Sequence, residues 1–254
     1  MPSPQQLYQS NPLTLTGSEY MFLQQANGSY GGATAAQVAN CVDPVWYRRT
    51  WMPRAGANNT GADVSNNATA LTLTNVTTTN VNVKQDAYAF VFPGAASVKA
   101  ASPGQATISY GDFTCEMWVT CTNLGTSPQA FSSQSVSTNL TGFSLNLNST
   151  GMNYYTGGGA QITGTVPIVS GALTHIAVVR QGGLITMYTN GVNSGSSTNS
   201  GITTAQLTDG QAWLGNWYAG TNSLIGTISG FRYSQFAQYS ANFTPPTTPF
   251  PVII

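Results

Sequence analysis

Few residues in this chain have types and spacing suited to acid–base, nucleophilic or metal chemistry. Its 254 residues hold 7 Asp+Glu, 7 Lys+Arg and 1 histidine, His175. Hydrolysis of a glycosidic bond needs paired carboxylates about 5–9.5 Å apart. In Gly111-Asp-Phe-Thr-Cys-Glu-Met-Trp-Val119, alternation puts Glu116 on one face with Thr114 and Trp118, opposite Phe113, Cys115, Met117 and Val119. Asp112 ends a turn, and four residues of extended chain separate it from Glu116 by about 13 Å. Glu116 is therefore expected to pair structurally with Arg180 or Arg232. His175, within the apolar run His175-Ile-Ala-Val-Val-Arg180, is expected to pack or hydrogen-bond rather than to catalyse. Ser194, in Gly191-Val-Asn-Ser-Gly195, has neither the spacing nor the following helix of a nucleophile elbow. The chain reads as a non-enzyme.

Metal chemistry finds no better footing. Asp63, Asp112 and Asp209 are isolated and no Asp-rich loop occurs, so no cofactor is expected, with bound calcium as the alternative. Cys115 and Cys121 lie on one strand and its exit, about 20 Å apart, against the about 4.4–6.8 Å between Cα atoms that a disulfide requires. With Cys41 the count is odd, which points to inert thiols folded in a reducing cytoplasm. The start, Met1-Pro-Ser-Pro-Gln-Gln-Leu-Tyr8, has no basic region followed by an apolar one, so no signal peptide is expected. No apolar run approaches the roughly 18 residues of a membrane span.

Recognition by uncharged groups remains. Aromatic faces beside amides and hydroxyls suit glycans, and loops between strands are where binding residues gather. Two segments qualify: Asn216, Trp217, Tyr218 and Asn222 in Gly215-Asn-Trp-Tyr-Ala-Gly-Thr-Asn222, and Tyr154 and Tyr155 ahead of Gly157-Gly-Gly159. The alternative is that they cap the ends of a sandwich or meet a neighbouring subunit. A third cluster, Trp46, Arg48, Arg49, Trp51 and Arg54, gathers three of the five arginines and two of the five tryptophans, and reads as an assembly anchor. Three arginines are too few to displace counterions from a nucleic acid, and no basic stripe exists elsewhere.

The elements that must position these residues are strands. Leu71–Val76, Asn80–Lys84, Phe113–Val119 and Gly142–Asn148 alternate. His175–Arg180 is continuous, and Leu184–Thr189 follows across Gly182-Gly183, with Asn190-Gly191 closing the next hairpin. Short strands with Gly and Asn turns and no long helical period indicate a sandwich or jelly roll. Near the start, Glu19–Gln24 reads as a strand before an Asn27-Gly28 turn, and Thr34-Ala-Ala-Gln37 fits a capping box opening a short helix to Cys41. About thirty residues cannot bury a core alone, so this unit is expected to dock on something else.

Several runs together resemble laminin-G-like, concanavalin A-like jelly rolls: Ala87–Phe92, Gly111–Val119, Leu173–Arg180, Ile185–Val192, Ala212–Asn216 and Leu224–Arg232, in that order. The ending Tyr239-Ser-Ala-Asn-Phe-Thr-Pro-Pro-Thr-Thr-Pro-Phe-Pro251 resembles the tail of such domains in bacteriophage virion proteins, and Leu15–Ala39 resembles the short N-terminal module of phage fibres and appendages. The resemblance implies an all-β, concanavalin A-like (laminin-G-like) jelly-roll sandwich behind a small hairpin-plus-helix anchoring segment. Its expected parts are an attachment module over 1–42, an anchoring linker over 43–64, the jelly roll over 65–250 and a tail over 251–254.

It also implies a phage virion structural surface protein, synthesised and folded in the host bacterial cytoplasm. A capsid decoration or head-fibre subunit is the first expectation, a tail-fibre or receptor-binding subunit the second, and a glycan hydrolase on the same fold the third. Expected partners are other virion proteins, sister subunits in a homo-oligomer (a trimer favoured) and host cell-surface glycans, with no nucleic acid and no membrane. Edge strands are ordinarily protected by charge, and charge is scarce here, so neighbours in an assembly are expected to cover part of the chain.

Overall fold

The computed structural model describes residues 20–24, 30–34, 51–65, 68–81, 83–101, 112–133, 142–156, 159–198, 211–216 and 222–250. Two compact units divide the chain, Met1–Tyr47 and Arg48–Ile254. In the first, strands β1 (Tyr20–Gln24) and β2 (Tyr30–Thr34) pair antiparallel. The helix expected after Thr34 lies outside the described residues.

The second unit is a sandwich of two seven-stranded antiparallel sheets. Sheet I runs β13 (Gly159–Thr163), β12 (Gly151–Thr156), β11 (Phe143–Asn148), β10 (Gln129–Ser132), β17 (Gln211–Leu214), β8 (Ser97–Ala101) and β5 (Leu71–Thr74). Sheet II runs β16 (Val192–Ser197), β15 (Leu184–Thr189), β14 (Thr174–Gln181), β9 (Phe113–Cys121), β18 (Ile225–Ser234), β7 (Ala89–Pro93) and β6 (Thr77–Thr79). A small pair, β3 (Pro53–Ala55) and β4 (Gly61–Asp63), and a 3₁₀ turn, η1 (Leu124–Thr126), complete it. Among the described residues no helix is long and apolar enough to cross a membrane.

The period-2 patterns decide which residues face the interior. Phe113, Cys115, Met117 and Val119 of β9 meet Phe143, Leu145 and Leu147 of β11 in one core, with Met152, Ile176, Val178, Ile228 and Phe231. Cys115 and Cys121 are free, buried thiols, and burial pushes the Cys115 thiol well up, making it a packing group rather than a nucleophile. The opposite face of β9 is dry as well: all nine of its residues are buried.

Two expectations need correction. Asn80–Lys84 forms no strand among its described residues; Thr77–Thr79, just before it, pairs with β7 instead. Trp51 is not a surface anchor. It is 1% exposed, its ring meets Phe231 edge-on at 5.0 Å, and its main chain exchanges both hydrogen bonds with Tyr233. Burying that indole area outweighs leaving its Nε1–H unpartnered. The sandwich therefore begins before residue 65, with β3 and β4 inside the stretch read as linker.

Polar side chains protect two of the outer strands where charge is scarce. The Asn59 carboxamide accepts the Thr78 N–H at 2.9 Å along β6. On β16 a register shift sets off Ser194, whose Oγ accepts the N–H groups of Thr165 and Val166 at 3.1 and 3.0 Å. Each of these edges thus carries contacts from elsewhere in the chain.

Candidate functional site

The outer face of sheet II carries the carboxylate singled out above. Segment 235–250 crosses it as a strap. Thr114 Oγ1 donates to the Phe236 carbonyl at 2.8 Å and accepts the Gln238 N–H at 2.9 Å. Trp118 Nε1 donates to the Pro246 carbonyl at 2.9 Å, and Phe243 N–H donates to the Gly191 carbonyl at 2.9 Å. Only glycine fits at 191: its φ is +76°, and a Cβ would stand 1.8 Å from the Phe243 oxygen. Tyr239 and Phe243 stack at 3.5 Å over Ala177, Val179 and Tyr188. At the far end Arg54 Nη2 donates to the Phe250 carbonyl at 2.9 Å, while Arg232 lies 3.7 Å from the Phe250 ring centre.

Beneath the strap Glu116 is wholly enclosed. Its Oε1 accepts both Nε (2.9 Å) and Nη2 of Arg232, and its Oε2 accepts the Tyr239 hydroxyl at 2.8 Å. His175 Nε2 stands 3.4 Å from Oε2, with both side chains fully buried. Burial pushes the Glu116 carboxyl upward, but the His175 ring and the Arg232 guanidinium outweigh it and hold the group below the usual carboxylate range. The phenol of Tyr239 is pushed up by burial and by the Glu116 charge. A general acid needs a raised pKa and access to a leaving group; Glu116 has neither. Asp112, its possible partner in sequence, accepts the Gly182 N–H at 2.8 Å.

Asp63, one of the three isolated aspartates, is a main-chain cap. Its carboxylate accepts the N–H groups of Met52, Ser65 and Thr69 at 3.0, 3.0 and 2.9 Å. Among the described residues no three His, Cys, Asp or Glu side chains converge as a metal site; Asp209 lies outside them.

The opposite arrangement occurs where strands end near Cys121. Seven connections meet there, over residues 75–76, 94–96, 122–128, 149–150, 164–173, 190–191 and 215–224 (of which 215–216 and 222–224 are described), and hydrogen bonds join several of them. Gly94 N–H reaches the Leu224 carbonyl, Gly171 N–H that of Cys121, Gln129 N–H that of Asn222 and Thr122 N–H that of Ile225, at 3.2, 2.8, 2.8 and 2.9 Å. Ser127 Oγ donates to Asn148 Oδ1 at 2.7 Å. Asn123 is the organiser: its Oδ1 accepts the Ile225 N–H at 2.9 Å and its Nδ2 donates to Thr126 Oγ1 and the Ser223 carbonyl at 3.1 and 2.9 Å. The connection 215–224 is closed at its base by Leu224 N–H to the Gly215 carbonyl at 2.8 Å. Gly215 presses on the Phe92 ring so closely that a Cβ would lie 2.2 Å from it. Ser127 and Asn222 hold left-handed φ values of 51° and 56°, a conformation that costs about 1 kcal/mol or more and persists where surroundings enforce it. Thr122, Thr126, Ser149, Thr150, Ser170 and Asn222 face solvent, beside Val169 and Ile225 at 65% and 42% exposure.

The residues expected from sequence divide clearly. Asn222 is exposed at this loop end; Asn216 is buried at its base; Trp217 and Tyr218, between them, lie outside the described residues. Tyr154 is corrected: it is fully buried and stacks on Phe143 at 5.3 Å, because the β12 alternation turns it inward with Met152. Tyr155 faces the other way, half-buried on the outer face of sheet I, in a row that continues through Ser144, Ser132, Trp213 and Lys99. Arg54 pairs with Asp86 at 3.0 Å within the fold, and Trp46, Arg48 and Arg49 lie outside the described residues. Sequence reasoning missed Asn123 and Trp213. Trp213 was legible, since Ala212-Trp-Leu214 alternates; nothing in a lone Asn before Leu124 announces a staple.

The family model described as "Concanavalin A-like lectin/glucanases superfamily" matches residues 92–238. The chain belongs to that superfamily. Solved structures similar to this lectin/glucanase-superfamily domain include the binding domain of Paraclostridial Mosquitocidal Protein 1, at 16% identity and TM-score 0.57 over 76% of this chain and 50% of that one. Domain 4 of AbnA, a GH43 extracellular arabinanase from Geobacillus stearothermophilus solved with arabinotriose, matches at 20% and 0.52 over 67% and 83%. A botulinum neurotoxin serotype D/C binding domain matches at 12% and 0.55 over 75% and 50%. At these identities the structural likeness shows the shared fold alone. The chain spans about half the length of the toxin binding domains it resembles. No curated protein matches its sequence.

Proposed function

We propose that this chain is a structural surface protein of a phage virion, a capsid decoration or head-fibre subunit, whose jelly roll adheres to host glycans through the loop end around Asn123. The observation that carries the adhesive reading is the contrast between the two places just described. The carboxylate that hydrolysis would use is roofed by the strap and held ionised, whereas the described part of the loop end is cross-bonded through Asn123 and exposes amides and hydroxyls. That contrast supports binding without turnover.

The neighbours support it by what they bind: domain 4 of AbnA was solved with arabinotriose, and a botulinum neurotoxin binding domain with rat synaptotagmin II. Trp217 and Tyr218 are the proposed glycan platform, with Asn216 steadying the base and Asn222 and Tyr155 as further polar and aromatic contacts. The virion assignment rests on the resemblance of the Tyr239–Pro251 ending and of the N-terminal module to phage proteins. In this reading residues 1–47 and the Trp46-Tyr-Arg-Arg49 segment attach the jelly roll to other virion proteins or sister subunits.

The test is a glycan array with the full chain and a Trp217→Ala/Tyr218→Ala double variant. Wild type is expected to give host-type glycan signal that the variant loses by tenfold or more, with its melting temperature within about 2 °C, as for residues that meet ligand rather than core. Equal signal from both proteins would remove the loop end from the account.

A further inference from the structure

We infer that the loop end recognises uncharged glycans, without uronate, sialate, phosphate or a metal bridge; this rests on the adhesive reading above and deepens it. The carrying observation is a juxtaposition that strand order alone creates. The seven connections that the strand order brings to this end are Asn75-Val76, Gly94-Ala-Ala96, Thr122-Asn-Leu-Gly-Thr-Ser-Pro128, Ser149-Thr150, Gly164-Thr-Val-Pro-Ile-Val-Ser-Gly-Ala-Leu173, Asn190-Gly191 and Gly215-Asn-Trp-Tyr-Ala-Gly-Thr-Asn-Ser-Leu224, the last described at 215–216 and 222–224. They do not contain a single Asp, Glu, Lys, Arg or His, although they come from seven separate parts of the chain.

The chain's described charges lie elsewhere. Arg54–Asp86 and Arg232–Glu116 sit under or beside the strap, Asp63 caps β3 and β4, and Asp112 and Arg180 stand at the opposite ends of β9 and β14. Lys99 lies mid-sheet against the Trp213 ring at 5.5 Å, and Lys84 lies in the connection from β6 to β7 at the other end of the sandwich. A surface that draws anionic glycans works by charge-assisted bonds from Arg or Lys, and a calcium-bridged one needs carboxylates. Neither kind of group is within these connections. What they offer is Thr122, Thr126, Ser170 and Asn222 as neutral donors and acceptors, with Val169 and Ile225 as apolar patches for the C–H faces of sugar rings. Asn123 cannot itself bind, because its amide is occupied in joining the loops; it is a positioning residue.

Asn222 is the sharpest probe. Its carbonyl is held by Gln129 N–H, its left-handed φ suits Asp as well as Asn, and its side chain is exposed. Asn222→Asp therefore exchanges an amide for a carboxylate with little change in shape.

The experiment measures binding of the full chain to neutral hexose, 6-deoxyhexose and N-acetylhexosamine oligosaccharides and to their uronate- and phosphate-bearing counterparts. Each is measured at low and high NaCl and with EDTA. The expected result is binding to neutral probes only, with affinity changing less than about twofold across salt and EDTA, and a tenfold or greater loss in Asn222→Asp at unchanged melting temperature. Preference for the anionic counterparts with steep salt dependence, or loss with EDTA, would overturn the inference while leaving glycan adhesion standing. Unchanged neutral binding in Asn222→Asp would also overturn it. If no probe of either class bound, the adhesive reading itself would fall.

Discussion

Glu116→Gln is expected to destabilise the protein by about 3 kcal/mol, the lower part of the range for removing one partner of a buried ion pair, because the Arg232 side chain keeps 14% exposure. For a unit of this size that is roughly 6–12 °C in melting temperature. The change leaves Arg232 without its counter-charge and turns one acceptor oxygen into an amide nitrogen facing existing donors, whether Arg232 or Tyr239. Its pH signature has a definite sign. Glu116 has a lowered carboxyl in the folded state, so its contribution is present above the ordinary carboxylate value of 4.5 and is lost as pH falls through the lowered one. Asp86 is raised by burial, against the pull of the Gly230 N–H and Arg54, so its contribution runs the other way, present at low pH and lost as pH rises. Acid denaturation of the wild type should therefore be steeper than that of Glu116→Gln, whose remaining slope lacks the Glu116 part. Chemical denaturation at a series of pH values reads this directly. Parallel acid limbs, or a variant as stable as wild type, would show that Glu116 is not the structural charge described here.

Trp51→Ala is the second large effect, expected at about 3–5 kcal/mol, since it empties an indole-sized space between Phe231 and Phe131. Trp51→Phe should cost clearly less, because the aromatic contact survives and the unpartnered Nε1–H disappears. Thermal unfolding of the two variants separates this from an interface role. An anchor residue would leave the isolated protein's stability unchanged and lower only its incorporation into particles. A Trp51→Ala protein that melts with wild type would return Trp51 to the surface.

The sandwich was readable because alternation is enforced wherever one face must be buried. Phe143-Ser-Leu-Asn-Leu147 and Phe113-Thr-Cys-Glu-Met117 each assign their faces without further information. The segment 80–84 shows the limit: Asn-Val-Asn-Val alternates too, yet its Val81 is 62% exposed and the pairing with β7 is made by three threonines upstream. Pattern signals that a strand is possible; which neighbour offers hydrogen bonds decides whether it forms. Trp51 and Tyr154 were misread for a related reason. An aromatic near arginines or glycines looks like a contact residue, and only the partners from Phe231, Tyr233 and Phe143, far away in sequence, reveal that it is core.

The strap was partly legible, since an apolar, proline-rich ending is costly to leave in water. Its consequence was not. Nothing local indicates that residues 236–250 would roof Glu116, so the excluded chemistry had been argued from a missing partner carboxylate rather than from a closed face. The loop end was legible in the opposite way. Its composition could be read from the beginning, but separate uncharged stretches come to one end of the sandwich only through the strand order.

The central claim is that this chain is a binding module whose contact surface is that loop end. Hydrogen exchange of the full protein with and without purified host surface polysaccharide tests it most directly. Added protection is predicted within 122–128, 164–173 and 215–224, with the strap and β9 unchanged. Protection confined to 235–250 and β9, accompanied by release of reducing ends from the polysaccharide, would contradict the account and return Glu116 to catalysis.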